Sequence, residues 1–504
     1  MTDTTPLLLD GQSLTIASVA KAARSRPNIG LTDSARQAVQ ACHAMLQRMI
    51  ADGTPIYGVT TGFGALDGQK VPPEANRAQQ HNLLKSHAAG IGEPMADDTA
   101  RAMMIIRANV LATGLTGVHP ATLDALIAAL NAGMVPHVPR RGSVGACGDL
   151  APLAHMALPL IGCGRAKIDK GDWLPGAAVM QQIGLAQPRV DGRDGIALIN
   201  GTEQTTGIGV LATHDARRLV RLAEAVAAMS LEVLGAVSDS FDERVALAKP
   251  HPGQIATSER LRQLTAGSTA VLPPRPSRLR DALSLRCIPQ VLGASRDSVE
   301  HTASVLEIEI NAANDNPLFG VADGFVTSNS GNFHGQHAGE ALDSLANTLT
   351  SLAVIAERRC ARLVDDKNSG GLPAFLIHAQ ARAGENSGFM IAQYTAASLI
   401  AELRMRSVPG SIQSVPTCAN TEDHVPMSPL AAERAAFAVD TAETIVAIEA
   451  LLAAQAYDLR GLKPAPALQP LFAAIRARVP CMIEDREMGE DIAAVRAALR
   501  EVAM

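Results

Sequence analysis

Aromatic side chains are scarce in this chain: one Trp, three Tyr and nine Phe among 504 residues, 3% in all. A core without them must be built from Ala, Leu, Val and Met, which suits closely packed helices and is poor material for a β-sandwich. Any CxxC spacing is also missing. The seven cysteines, at 42, 147, 163, 287, 360, 418 and 481, are scattered and odd in number. That argues against a disulfide framework and against a zinc site, so no metal is expected. No stretch approaches the ~20 apolar residues that span a bilayer. The opening Met-Thr-Asp-Thr-Thr-Pro lacks the basic and apolar regions of a signal peptide. The cytoplasm is therefore the expected compartment, with no membrane partner. Basic runs with interleaved aromatics are absent, and a net charge of −6 is small for this length. No nucleic-acid partner is expected.

What is present is a chain 47% hydrophobic and 19% charged, enough to bury a large core. Residues 1–200 read as mixed and loop-rich. Gly and Pro cluster at Gly53–Gly68, Val71–Pro73, Gly90–Pro94 and Val135–Gly148, with short helices such as Asp97–Ala112 and Ala121–Ala132 between them. After Gly201 the pattern changes. Leu219, Leu222, Val226, Met229 and Val233 recur at spacings of three and four, a heptad-like seam. Leu342, Leu345, Leu349, Leu352 and Ile355 repeat it, as do Ala438, Thr441, Ile445, Ile448 and Leu452. Pro/Gly-rich loops at Lys249–Gly253, Leu272–Ser277 and Val408–Pro416 separate these helices. The expected fold is mainly α: a long helical bundle, residues 201–504, behind a mixed N-terminal domain, residues 1–200. Broad apolar helix faces often complete their core between subunits, so a homo-oligomer is expected.

Two segments carry candidate chemistry. Tyr57-Gly58-Val59-Thr60-Thr61-Gly62-Phe63-Gly64 sets one of three tyrosines among three glycines. It reads either as a mobile loop presenting Tyr57 as an acid or base, or as a Gly turn with a packing tyrosine. As a base its phenol, of ordinary pKa ~10, needs nearby positive charge. The GxGxxG order of a dinucleotide loop is missing. The second segment runs Arg140-Arg141-Gly142-Ser143-Val144-Gly145-Ala146-Cys147-Gly148-Asp149-Leu150-Ala151-Pro152. Asp149 as N-cap and Pro152 in the first turn predict a helix starting near Leu150. Cys147 is open to three readings: a nucleophile activated by the helix end, a buried structural thiol, or the middle of a cyclising triplet. In the last, the Gly148 nitrogen attacks the Ala146 carbonyl, and loss of the Cβ substituent leaves an exocyclic alkene.

This segment resembles the cofactor-forming stretch of the histidine and aromatic amino acid ammonia-lyases, where Ala-Ser-Gly forms methylidene-imidazolone (MIO). The Tyr57 loop is similar to that family's tyrosine loop. The likeness continues in order through His81–Gly92, Ala197–Glu203, Ser284–Gln290, Asn311–Leu318, Gly331-Asn-Phe-His334 and Thr421-Glu-Asp-His424, spanning about residues 50–430. The Gly-Ser-Ser-x-Met-Pro-x-Lys loop of the fumarase/aspartase superfamily is absent. The resemblance implies a carbon–nitrogen lyase with an ammonia-lyase-like bundle, a homotetramer, and a small amino-acid or betaine substrate. By the same resemblance Tyr57 is the catalytic tyrosine, Asn200 an amide beside the cofactor and Phe333 a pocket wall. Arg286 holds the substrate carboxylate, a role its bidentate guanidinium suits. His87 and Glu422 contact the imidazole in histidine-specific members, with Glu422 a second candidate base.

Three positions depart from the family. Cys147 stands for Ser, Leu283 for a second catalytic tyrosine, and Arg280 for a Gln of the substrate pocket. Leucine transfers no protons. A trimethylammonium group carries permanent charge and leaves as a neutral amine without an electrophilic cofactor, which is the chemistry of the ergothionase branch. These departures lean toward ergothionase without MIO. The alternatives are a histidine ammonia-lyase whose ring forms from Ala146-Cys147-Gly148 by loss of water and hydrogen sulfide, and a scaffold without activity.

Overall fold

The computed structural model describes residues 5–382 and 384–502. Helices dominate, and the heptad-like seams lie where their spacing predicts. Leu219 to Val233 fall in the helix Glu203–Val233, Leu342 to Ile355 in Gln336–Val364, and Ala438 to Leu452 in Ser428–Arg460; all these seam residues are buried. The helix Asp97–Ala112 has the expected bounds, and the next runs Pro120–Asn131. One expected loop is shorter than predicted. Pro252 opens the helix Pro252–Leu264, because a proline at the first turn has no N–H to lose.

The chain divides into two compact units. The first comprises residues 1–214, 302–343 and 409–434; the second comprises 215–301, 344–408 and 435–504. A single cut at 200/201 is therefore not what is observed: two later segments return to the N-terminal unit. Sequence offers no signal for such a return, since it depends on long-range packing.

The first unit holds the short strands. Leu7–Leu9 pairs in parallel with Ile29–Leu31, Ile91–Pro94 pairs antiparallel with Pro139–Arg141, and Arg165–Ile168 lies between Met134–Pro136 and Leu174–Pro175. The pairing of Ile91 with Arg141 brings the end of the Asn76–His87 helix beside the start of the glycine-rich segment. Among the described residues no helix is long and apolar enough to cross a membrane.

The second unit pins its helices with buried charge. Arg359 and Glu449, both 0% exposed, form a bidentate pair at 2.6 and 2.8 Å, and Ser230 Oγ donates to the same carboxylate at 2.6 Å. Three helices thus meet on one carboxylate. Glu449→Leu leaves the guanidinium buried without its counter-ion and is expected to cost about 3–5 kcal/mol, while Arg359→Met/Glu449→Leu recovers most of the loss. Denaturant midpoints of the two variants test this; an unshifted single variant would contradict it.

Candidate active site

The glycine-rich segment turns sharply where the strand Pro139–Arg141 gives way to the helix Leu150–Ala157. Cys147 has φ +50°, between Gly145 at +76° and Gly148 at +75°. A left-handed conformation is costly for a residue with a Cβ, so the surroundings must hold it. Gly148 can only be glycine: a Cβ there would lie 2.3 Å from the Gly201 backbone. Asn200, just past the helix Asp194–Ile199, donates Nδ2–H to the Cys147 carbonyl oxygen at 2.7 Å. Its own Oδ1 accepts from the Asn316 N–H at 2.8 Å.

Behind Asn200 stands an ion pair that the sequence reading missed. Arg107, fully buried, donates to the Asn200 carbonyl at 3.0 Å and to Glu203 Oε1 at 2.9 Å. Its partner lies in the Ala197–Glu203 segment already singled out, but nothing local ties an arginine some 90 residues away to it.

The helix begins at Leu150 as predicted, yet Asp149 makes no side-chain cap bond. Its buried carboxylate instead accepts from Ser143 Oγ at 2.7 Å and from the Thr205 N–H at 2.8 Å. Thr205 Oγ1 in turn lies 2.9 Å from Ser428 Oγ. Burial pushes the Asp149 carboxyl up to about 6, against these hydrogen bonds.

Two backbone bonds tie distant segments to the turn. Gly335 N–H donates to the Gly145 carbonyl at 3.3 Å and Met427 N–H to the Val144 carbonyl at 2.8 Å. The first fixes the segment carrying half-buried Phe333; the second fixes the one carrying Glu422. Stacking of His334 on His424, ring centres 5.5 Å apart, joins the two.

Glu422 accepts from Thr417 Oγ1 at 2.7 Å. Burial, then hydrogen bonding to Glu422, pushes the Cys147 thiol far above its usual value. The activated-thiolate reading of Cys147 is therefore corrected: its sulfur is a neutral S–H facing a carboxylate, and no helix-end effect overcomes the desolvation.

His87 Nδ1 lies 3.0 Å from the Leu83 carbonyl, which only accepts. The ring proton is thus on Nδ1, leaving Nε2 an acceptor. Burial lowers the His87 pKa, opposed by the nearby Glu422 charge, so the ring is neutral at pH 7.

Tyr57 hydroxyl accepts from the Gly64 N–H at 2.8 Å. Burial raises its pKa, with Cys147 and Cys418 adding in the same direction. The Gly64 hydrogen bond opposes that rise, and among the described residues no positive charge adds to it.

Tyr57, His87, Ala146, Cys147, Gly148, Asn200, Phe333 and Glu422 all belong to the first unit, whereas Arg280, Leu283 and Arg286 belong to the second. There the helix Leu283–Arg286 presents Leu283 at 61% exposure. Arg280 and Arg286 line one depression with Cys287 and Gln290. Among the described residues no cluster of three or more His, Cys, Asp or Glu is arranged to hold a metal.

A family model for aromatic amino acid lyases matches residues 14–477, and the chain belongs to that family. It is a carbon–nitrogen lyase, not an inert scaffold. The histidine ammonia-lyase of Symbiobacterium thermophilum is 45% identical over 486 residues, 96% of this chain and 95% of that protein. The crystal structure of histidine ammonia-lyase from Trypanosoma cruzi has a TM-score of 0.91 at 36% identity, covering 98% of this chain and 93% of that one. Ergothionase from Treponema denticola, solved with desmethyl-ergothioneine sulfonic acid, has a TM-score of 0.90 at 27% identity over 98% and 99% of the two chains.

The raised Asp149 pKa carries a sign. The folded state binds the proton more tightly than the unfolded chain, whose carboxyl titrates near ~3.9. Stability from this group is therefore present at low pH and lost as pH rises from about 4 through about 6. Relative to Asp149→Asn, the wild type is expected to lose roughly 3 kcal/mol across that window. Parallel pH–stability curves for the two proteins would contradict the assignment.

Proposed function

We propose that the enzyme eliminates the α-amine of a histidine-like amino acid, giving a urocanate-type acid and ammonia. What supports this reading most is that Glu422 is near enough to act on both the His87 ring and the Cys147 thiol. A neutral nitrogen acceptor and a carboxylate both accept, and so complement the two N–H donors of a protonated imidazole. The 45% identity to a histidine ammonia-lyase over nearly the whole chain supports it further. Ergothionase, first by the departures in the sequence, becomes the second reading at 27% identity; Leu283 and Cys147 remain the residues that favour it.

The residues at the turn suit MIO. Small neighbours flank Cys147, the backbone is already bent left-handed there, and Gly148 packs with no room for a side chain. Asn200 would hold the ring's carbonyl oxygen, the former Cys147 oxygen. The ring would supply an electrophilic alkene toward the substrate amine. The chain's own side chains do the rest. His87 and Glu422 orient the imidazole and Phe333 walls it, while the substrate carboxylate calls for a guanidinium, which is the chemistry of Arg286. Tyr57 takes the Cβ proton, its phenolate steadied by the Gly64 N–H.

We also propose a cytoplasmic homotetramer. The helix Met390–Met405 exposes Ile391, Tyr394 and Met405 at 58%, 58% and 83%, an apolar stripe suited to a second copy. Light scattering that finds a monomer would overturn it.

L-Histidine and ergothioneine assayed side by side, by absorbance of the conjugated product, test the substrate. Turnover of L-histidine supports the first reading; turnover of ergothioneine alone overturns it. Tyr57→Phe is expected to lower kcat by about 10²-fold or more. Because burial raises the Tyr57 pKa and a base must be ionised, the rate is expected to climb on the alkaline side of neutrality. A Tyr57→Phe variant with the same alkaline limb would exclude Tyr57 as the base.

A further inference from the structure

Away from the candidate active site, one buried charge of the first unit has no counter-ion. Arg101, on the helix Asp97–Ala112, is 2% exposed. Its Nε donates to the Ala23 carbonyl at 3.3 Å and its Nη1 to the Leu130 carbonyl at 3.2 Å. These carbonyls lie near the ends of the helices Ile16–Ser25 and Pro120–Asn131, and a helix C-terminus favours a cation. That explains why the guanidinium tolerates burial, but not where its other donors go. Nη2 makes no hydrogen bond, and among the described residues no carboxylate pairs with Arg101. Buried charges are ordinarily paired, because desolvation is costly. Burial, then the charge of Arg26, lowers the Arg101 pKa to about 10, which still leaves it charged at pH 7.

Arg101 lines a cavity of about 230 Å³ with Arg26, Asn131, Gly133 and Asp169 among others, all of them in the first unit. Half-buried Arg26, the left-handed C-cap of the helix Ile16–Ser25, pairs with the exposed Asp169. Asn131 is already committed: its side-chain amide exchanges two hydrogen bonds of 2.8 Å with the Ile29 backbone. Two guanidiniums therefore share the cavity with one carboxylate, and Arg26 holds that carboxylate.

We infer that this cavity is a binding site for a small oxyanion, a carboxylate or phosphate group held between Arg101 and Arg26. Paired guanidinium N–H groups match the spacing of oxygens in either group. The anion gives the unpaired Arg101 charge its missing partner and relieves its repulsion from Arg26. Size limits the ligand as well: pockets for drug-sized molecules begin at about 300 Å³, so this one suits a small anion. Asp169 is the resident competitor for Arg26. Neutralising its carboxylate should therefore strengthen the site, an effect opposite to that of losing a structural ion pair. The inference is independent of the proposed reaction and of its substrate.

The test is isothermal titration of the full-length enzyme with sodium phosphate and, separately, with sodium acetate, chloride holding the ionic strength constant. Saturable binding of one ion per chain is expected for the wild type. Arg101→Gln is expected to abolish it, and Arg26→Gln to weaken it by about tenfold. Asp169→Asn is expected to tighten it by about tenfold. Asp169 is exposed and has φ +50°, a conformation that Asn adopts as readily. The surface pair it gives up is worth little to stability. The Asp169 and Arg26 variants therefore keep the fold and carry the test even if Arg101→Gln does not. Whichever ion binds more tightly names the group, phosphate or carboxylate. Absence of saturable binding by either ion would overturn the inference, as would binding that neither surface variant changes or that Asp169→Asn weakens.

Discussion

The bond from Asn200 to the Cys147 carbonyl is the contact on which the rest of the site depends. It holds a residue with a Cβ in a left-handed turn. That amide is in turn held by the Asn316 N–H, and the Asn200 backbone carbonyl is held from behind by Arg107 of the buried pair Arg107–Glu203. A buried pair of this kind is weak as a source of stability, because desolvation offsets its attraction. Its value lies in geometry. Neither partner can leave without stranding the other, so the Asn200 backbone has one position, and the turn inherits it.

Around that fixed point the site is assembled by backbone, not by side-chain reach. Gly145 and Val144 offer their carbonyls to the Phe333 and Glu422 segments. The segments of Phe333 and Glu422 are therefore both tied to the Cys147 turn, although they are far from it in sequence. The carboxylate faces a thiol that burial keeps protonated. That arrangement suits a sulfur that leaves during ring formation, having done no nucleophilic work of its own.

Much of this was legible in the sequence, for identifiable reasons. The seams at Leu219–Val233 and Ala438–Leu452 follow the 3.6-residue period, which survives any tertiary context because one face must be buried. The helix start at Leu150 was likewise readable, since Pro152 admits only the first turn. Asp149 was the instructive failure. Its place before a helix is that of a cap, but its carboxylate turns to Ser143 and Thr205, because a buried acid takes whichever donors desolvation leaves it. Arg107–Glu203 and the return of residues 302–343 and 409–434 to the first unit arise only when the chain is packed. The resemblance of the motifs placed the candidate residues; that burial keeps the Cys147 thiol protonated follows only from the packed chain.

The account turns on whether the bent Ala146-Cys147-Gly148 segment closes into a ring. The intact mass of the purified, reduced protein decides this most directly. A mass below that of the sequence by one water and one hydrogen sulfide is predicted, and Asn200→Ala should return it toward the unmodified value. An unmodified wild-type mass would contradict the account and leave elimination of a group that departs without the ring's help.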